Sequence, residues 1–228
     1  MITSLHVFRF DRARLFQSRP DTSSIPGLRL WLPLSTGAQW RPPKPDFHRW
    51  AFLGIWDDDA ALDHFLRVSP IVSRWEERSQ EMWHVGLIPT SSRGNWRGTN
   101  PFAGRRPSDV PKDPTAVITL VRIKRRKLPT FWVSAQKGPA LDLEQAPGLL
   151  ADLPTFAKVP FVDLLTFTLW LSTEDAMNYA YRRSPHKDAV KRAHSEGIFR
   201  DELFARFYPY RSAGTFGGKD PLAKVLLA

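Results

Sequence analysis

With 228 residues, 42% of them hydrophobic, the chain can bury a sizeable core as one large domain or two small ones. Lys and Arg outnumber Asp and Glu by 33 to 23, and the net charge of +10 favours anionic partners without choosing among nucleic acid, acidic lipid headgroups and carboxylate-bearing ligands. The absence of cysteine excludes disulfides, thiolate nucleophiles, Cys-type zinc sites and iron–sulfur clusters, and it suits a reducing cytoplasm. No apolar run reaches the roughly 18 residues of an ordinary membrane span.

Residues Ser4 to Phe10 alternate apolar and polar and predict a strand, followed by a short helix over Asp11 to Ser18. Leu28 to Leu34 alternate again. Gly37, Pro42, Pro43 and Pro45 predict a loop from Ser35 to Asp46. The apolar, bulky run Phe47 to Trp56 reads as a central strand. Asp57, Asp58 and Asp59 then supply an N-cap and first-turn negative charge for a helix whose apolar face carries Leu62, Phe65 and Leu66. Pro70 interrupts that helix, and Ile71 and Trp75 resume the apolar face. Met82 to Ile88 is a strand, and Pro89 to Pro114 a polar connector with Trp96 and Phe102 embedded in it.

The second half repeats this order. Ala116 to Ile123 is a strand, ending in the basic run Lys124 to Lys127, which reads as a solvated strand end or an anion contact. A short helix over Thr130 to Gln136 and strands over Leu149 to Ala157 and Pro160 to Trp170 follow. Ser172 or Thr173 caps the next helix, Ser184-Pro185 interrupts it, and Glu202 to Tyr208 closes the set. Trp56 aligns with Trp170 at an offset of 114, and Ser69-Pro70 with Ser184-Pro185 at 115. Strand, cap, broken helix and strand thus recur in one order. Each half reads β-α-β-β-α-β, a ferredoxin-like unit, and two such units predict an α+β two-repeat barrel. The divisions expected are an N-terminal repeat over 1–90, a connector over 91–114, a C-terminal repeat over 115–213 and a tail over 214–228.

Among the six histidines, His186 has the most informative position. With the helix restarting at Pro185, His186, Ala189, Val190 and Ala193 form one stripe, and Lys187, Asp188, Lys191 and Arg192 lie on the other side. An imidazole among small apolar residues is either a hydrogen-bonded core group or a ligand with room beside it for a flat cofactor. The matching place in the first half holds Ile71, with Trp75 four residues on, so that half looks filled by its own side chains. His48, Trp50, Phe52 and Trp56 share one face of their strand, either as core or as the wall of an apolar pocket. Arg206, between Phe204 and Tyr208, needs an anionic partner if it points inward. No His-x-x-x-His or Glu-x-x-His spacing gives a zinc or di-iron site, and no nucleotide-cradling glycine loop and no Gly-x-Ser-x-Gly elbow is present.

Several separated segments resemble the spheroidene monooxygenase family, enzymes of carotenoid ketolation. They are Lys44-Pro45-Asp46-Phe47-His48 with Trp50, Ser69 to Trp75, Pro89-Thr90-Ser91 with Gly94, Trp96 and Pro101-Phe102, Val159 to Val162, Pro185-His186-Lys187, Glu202 to Phe207, and Gly218 to Pro221. The resemblance implies a haem-dependent monooxygenase with a dimeric α/β barrel type fold. It places the axial haem b ligand at His186 and makes Arg206 a propionate or distal partner. It further implies an extended apolar substrate, O2 or peroxide as co-substrate, an unspecified electron donor, peripheral contact with an anionic membrane, and association into a homodimer. The loop Ser35 to Arg41 is shorter than the family's, which bears on the pocket entrance. The rival readings are a haem enzyme with peroxidase-like or dehydratase-like chemistry on a small polar substrate, a cofactorless oxygenase of the same fold, and an RNA-binding ferredoxin-like module. No RNP-type aromatic motif accompanies the last, so no nucleic-acid partner is expected.

Overall fold

In the computed structural model the chain forms eight strands: β1 (Ile2–Phe10), β2 (Leu28–Trp40), β3 (Pro43–Trp56), β4 (Ser79–Asn95), β5 (Thr115–Ile123), β6 (Leu149–Lys158), β7 (Asp163–Trp170) and β8 (Phe199–Gly214). The helices are α1 (Asp59–Val68), α2 (Pro70–Glu76), α3 (Leu128–Gln136), α4 (Pro139–Glu144), α5 (Thr173–Met177) and α6 (Ser184–Ser195), with a π turn at Asn178–Arg182 between the last two. The structure describes the backbone outside 14–20, 22, 41–42, 105–106, 137–138, 159–161, 183 and 227–228, and side chains outside these and 36, 38–45, 134–141, 154–158 and 184–185.

All pairings are antiparallel, and the strands close one barrel in the order β1-β3-β2-β6-β7-β5-β8-β4. Each half contributes a ferredoxin-like sheet, β4-β1-β3-β2 and β8-β5-β7-β6, and the halves join along β4–β8 and β2–β6. The α+β barrel of two ferredoxin-like repeats read from the sequence is therefore the fold. Strand alternation sends Leu5, Leu53, Val85, Leu120, Phe167 and Phe207 into the barrel, where they belong to one buried cluster. Each fully buried side chain of this kind contributes ~1.5–3 kcal/mol relative to exposure. Helices can then cover only the outer faces. Asp58 caps α1 by accepting from Ala61 N, Ser69 caps α2, and Ser172 caps α5 by accepting from Asp175 N.

The barrel ends are closed by a second internal repeat, not read from the sequence above. Gly94-Asn95-Trp96-Arg97-Gly98-Thr99-Asn100-Pro101-Phe102 and Gly214-Thr215-Phe216-Gly217-Gly218-Lys219-Asp220-Pro221-Leu222 match at an offset of 120. Each makes a one-pair bridge, Trp96 with Thr99 and Phe216 with Lys219. In each, the Asn100 or Asp220 side chain accepts from the N–H two residues on, so that Phe102 and Leu222 turn into the interior cluster.

Several sequence expectations differ from the structure. The loop predicted over Ser35 to Asp46 is the end of a β2–β3 hairpin, with Gly37 opposite Pro45 and Trp40 opposite Pro43. Proline is tolerated there because, among the described residues, β6 pairs with β2 at Ser35 and Thr36 and no described pairing covers the arm beyond them on that side. The connector expected from Pro89 instead continues β4 to Asn95 against β8, with a register shift between Pro89 and Ser91 absorbing the proline. The helix expected over Asp11 to Ser18 lies outside the described residues except at 11–13, which are not helical. Arg125–Lys127 of the basic run form a 3-10 turn leading into α3 rather than a strand end, and α4 was not foreseen.

Gly94 and Gly214 adopt φ of +88° and +84°, and a Cβ on either would lie 2.2 Å from a backbone carbonyl oxygen, that of Glu202 or Met82. Gly217, at φ +65°, has nothing within 4 Å of that position. We expect Gly214→Ala to lower stability by more than ~2 kcal/mol, through steric overlap added to backbone strain, and Gly217→Ala by only ~1 kcal/mol. Urea midpoints of the two variants check this.

Candidate functional site

With the barrel interior filled by side chains, the outer faces of the two halves beneath their helices are compared as places for a ligand. The register makes them comparable residue by residue. Ile2 begins opposite Trp56 in one half as Thr115 does opposite Trp170 in the other, so His6 and Phe8 correspond to Thr119 and Val121, and Phe52 and Gly54 to Thr166 and Thr168. Likewise His84 pairs with His6 and Gly86 with Ser4, as Phe204 pairs with Thr119 and Arg206 with Val117.

The N-terminal face is full. Phe52 stacks on Trp31 at 4.0 Å and on His6 at 4.2 Å, and Trp75 of α2 meets Phe8 at 5.0 Å and Phe52 at 5.5 Å. Phe52 and Trp56 are fully buried, Trp50 nearly so, and the Trp56 indole N–H donates to Ser4 Oγ. Of the two readings left open for Trp50, Phe52 and Trp56, this packing corresponds to core. His48 is exposed at the strand's far end, its Nδ1–H donating to the Phe10 carbonyl, and none of the four shares a face with His186.

The C-terminal face is not filled in this way by the described side chains. Thr166 stands where Phe52 does, and Val190 where Trp75 does at the Ser-Pro offset of 115, so two large rings are replaced by small side chains. The buried residues divide into two clusters, one around Val121, Leu164, Ala193 and Ile198 and the other around Leu143, Trp170 and Ala176. Between them Thr119, Thr166, Thr168, Phe204 and Arg206 are all half-buried. Phe→Thr and Trp→Val at matched positions were visible in the sequence once the halves were aligned strand by strand; the Trp and Ser-Pro anchors alone did not reach them.

Above this floor lies α6. His186 and Val190 are half-buried and Ala193 buried, while Lys187, Asp188, Lys191 and Arg192 point outward or to the edge, as the stripe predicted. The π turn lets the chain place the Ala180 carbonyl 3.2 Å from His186 Nδ1. A carbonyl can only accept, so Nδ1 carries the proton and Nε2 keeps its lone pair. Burial pushes the imidazole's pKa down, against the Ala180 hydrogen bond and the Asp142 charge, which raise it. Tyr179 packs on the ring at 4.7 Å and links it to Trp170, 5.4 Å further. Arg206 lies on the floor, its Nε donating to Ser91 Oγ at 2.9 Å and its Nη1 3.9 Å from Met177 Sδ. His194 is turned away, its Nε2 2.9 Å from Glu202 Oε1. Among the described residues no three His, Asp or Glu side chains converge on one point, and no helix is long and apolar enough to cross a membrane.

A second histidine pair was not singled out from the sequence. His6 and His84 meet Nδ1 to Nδ1 on the filled face, with His6 Nε2 2.8 Å from Ser4 Oγ. Burial, mutual repulsion and nearby Arg211 hold His6 well below the ordinary imidazole range, and burial with Arg211 lowers His84 to about 4.

The architecture and the site define a class first: a single-chain α+β barrel of two ferredoxin-like repeats, with one outer face packed and the other carrying a buried, oriented imidazole. A solved aldoxime dehydratase shares the fold at a TM-score of 0.51 and 12% identity, over 96% of this chain and 82% of that one. No family model matches the chain. Over 99% of its length, however, it is 32% identical to the spheroidene monooxygenase of Cereibacter sphaeroides, covering 72% of that protein, and 29% identical to that of Rhodobacter capsulatus, covering 97%. The chain belongs to the spheroidene monooxygenase family and is a monooxygenase.

Two outcomes follow from the asymmetry of the faces. Phe52→Ala is expected to cost ~3–5 kcal/mol of stability and Thr166→Ala less than ~1 kcal/mol, compared by urea denaturation. Because His6 and His84 titrate lower in the folded chain than in the unfolded one, the unfolded chain takes up protons first on acidification. Stability is therefore full above pH 6.5 and falls toward pH 4, and His84→Gln should flatten that limb in melts across the interval.

Proposed function

We propose that this chain is a haem-dependent monooxygenase that inserts oxygen into an extended apolar, carotenoid-like substrate, in which His186 would hold the haem iron. The observation that carries the reading is the His186 imidazole, fixed by the Ala180 carbonyl over a floor where Thr166 and Val190 stand in place of Phe52 and Trp75. These residues fit the group in three respects. The tautomer leaves Nε2 free to coordinate, and the second hydrogen bond fixes the ring's orientation, as metal-bound histidines require. A lone imidazole suits a metal that brings its own equatorial ligands, since no further protein donors converge on one point among the described residues. The half-buried floor, with no side chain as large as Phe52 at Thr166, accommodates a flat guest.

When bound, haem supplies the activation of O2 or peroxide that no side chain can provide. The chain's own residues do the rest. His186 stays neutral because burial disfavours its charged form. Val117, Val190 and Phe204 are half-buried on this outer face, and apolar side chains there would favour a hydrocarbon over water. The relatives named above are spheroidene monooxygenases, and that name supports an extended polyene as the substrate class. The +10 charge is compatible with approach to an anionic membrane in which such a substrate dissolves.

Absorption spectra of wild-type and His186→Ala protein titrated with haem test the reading. A Soret band is expected in the wild type and should be lost or shifted in the variant. Incubating the loaded wild type with spheroidene and isotope-labelled peroxide, which brings both oxygen and electrons, should yield a labelled oxygenated product. No Soret band in the wild type would sink the haem assignment.

A further inference from the structure

Arg206 faces two places at once. On one side it forms part of the half-open floor, paired with Val117 across β8 and β5. On the other it lines a cleft of about 270 Å³ together with Thr90, Ser91, Lys112, Thr115 and Thr173. This cleft holds two cationic side chains and four hydroxyls. Among the described residues neither Arg206 nor Lys112 has a carboxylate within ion-pairing distance. The acid nearest in sequence, Asp113, instead accepts from Thr173 N at 2.5 Å. Ser91 accepts from Arg206 Nε, which aims the guanidinium and leaves the Ser91 O–H and the terminal nitrogens able to donate.

Thr115 and Thr173 donate their hydroxyl protons to the Phe207 and Lys112 carbonyls, but two cations without a carboxylate partner and the Ser91 O–H converge on the cleft. That set makes a receptor for a carboxylate, since charge-assisted hydrogen bonds are the strong ones and guanidinium matches a carboxylate's two oxygens. The cleft shares Arg206 with the outer face on which the cofactor is proposed to lie, and one edge of a haem carries two carboxylates. We infer that Arg206 and Lys112 anchor the carboxylate edge of the bound haem, and thereby fix which edge of the macrocycle faces the β4–β8 seam. This rests on the haem reading above and adds residues to it. Lys112 lies on the chain between β4 and β5, so the connector joining the repeats takes part in the site. Arg206 corresponds to Gly86 in the filled half, where Cβ space is taken by the Tyr210 ring at 2.7 Å, so the cation is particular to the half that carries His186.

The test is a titration of wild-type, Arg206→Ala, Lys112→Ala and Arg206→Lys protein with haem b and, in parallel, with its dimethyl ester, which has the same ring and no charge. Wild type should prefer haem b over the ester by about tenfold or more. Each alanine variant should lose about tenfold in haem b affinity with ester affinity unchanged, and Arg206→Lys should recover part of the loss. The ester measured on the same preparation shows that the pocket is folded. Equal affinity of wild type for the two ligands, or an equal loss for both in the variants, would overturn the anchor while leaving the haem reading intact. Uptake of neither ligand by wild type would remove the haem reading itself, and the anchor with it.

Discussion

Closure of the barrel is the constraint from which the rest of the structure follows. Once β4 pairs with β8 from Trp83 to Asn95, and β2 reaches β6 at Ser35 and Thr36, no room remains inside for anything but side chains. Leu53, Leu120, Phe167 and Phe207 lie buried in that interior, and Phe102 and Leu222 at the ends of the two turns belong to the same cluster. Helices are thereby confined to the outside. The outer face of each sheet is then left to its helices, and Arg206 lies both on such a face, opposite Val117, and in a surface cleft.

The same duplicated unit solves the outer-face problem in two ways. In the N-terminal half the gap between sheet and helix is closed by Trp31, Phe52 and Trp75 in mutual ring contact. Tyr210 donating to Asp59 and Arg211 bridging to Asp63 and Asp59 tie β8 to α1. In the C-terminal half the buried residues retreat to either side, and a π turn breaks the covering helix just before His186. Loss of ring contacts and an irregular helix are both destabilising, and they occur together on one face. The N-terminal face, by contrast, keeps its ring contacts and has no π turn among the described residues.

Much of this was legible in the sequence, for identifiable reasons. Period-two alternation located β1, β5 and β7, and Asp58 and Ser172 marked helix starts through their side-chain oxygens, whereas Ser69, read as part of an interruption, caps α2 as well. The Trp56/Trp170 and Ser-Pro matches disclosed the repeat. What misled was proline. Pro43, Pro45 and Pro89 argued for loops, yet each sits in a strand at an edge or a register shift, where the missing N–H costs little. The turn repeat at offset 120 escaped because its two copies share glycines and a proline more than large side chains. Its physical content, positive φ at Gly94 and Gly214 against a neighbouring carbonyl, appears only when the strands are paired.

The site was legible in part. The apolar stripe through His186 follows from helical spacing alone, and it is the face that α6 turns to the sheet. The tautomer does not follow, because the Ala180 carbonyl reaches Nδ1 only through a π turn that spacing cannot foresee. Trp50, Phe52 and Trp56 attracted notice for their size, although a ring that fills space cannot also leave it open. The informative positions were the small ones opposite: Thr166, Thr119 and Val190 acquire meaning only against Phe52, His6 and Trp75. In a duplicated fold, then, a binding face is best sought where one copy has given up the bulk that the other retains. That comparison points to the half carrying His186, the same half that the family resemblance singles out.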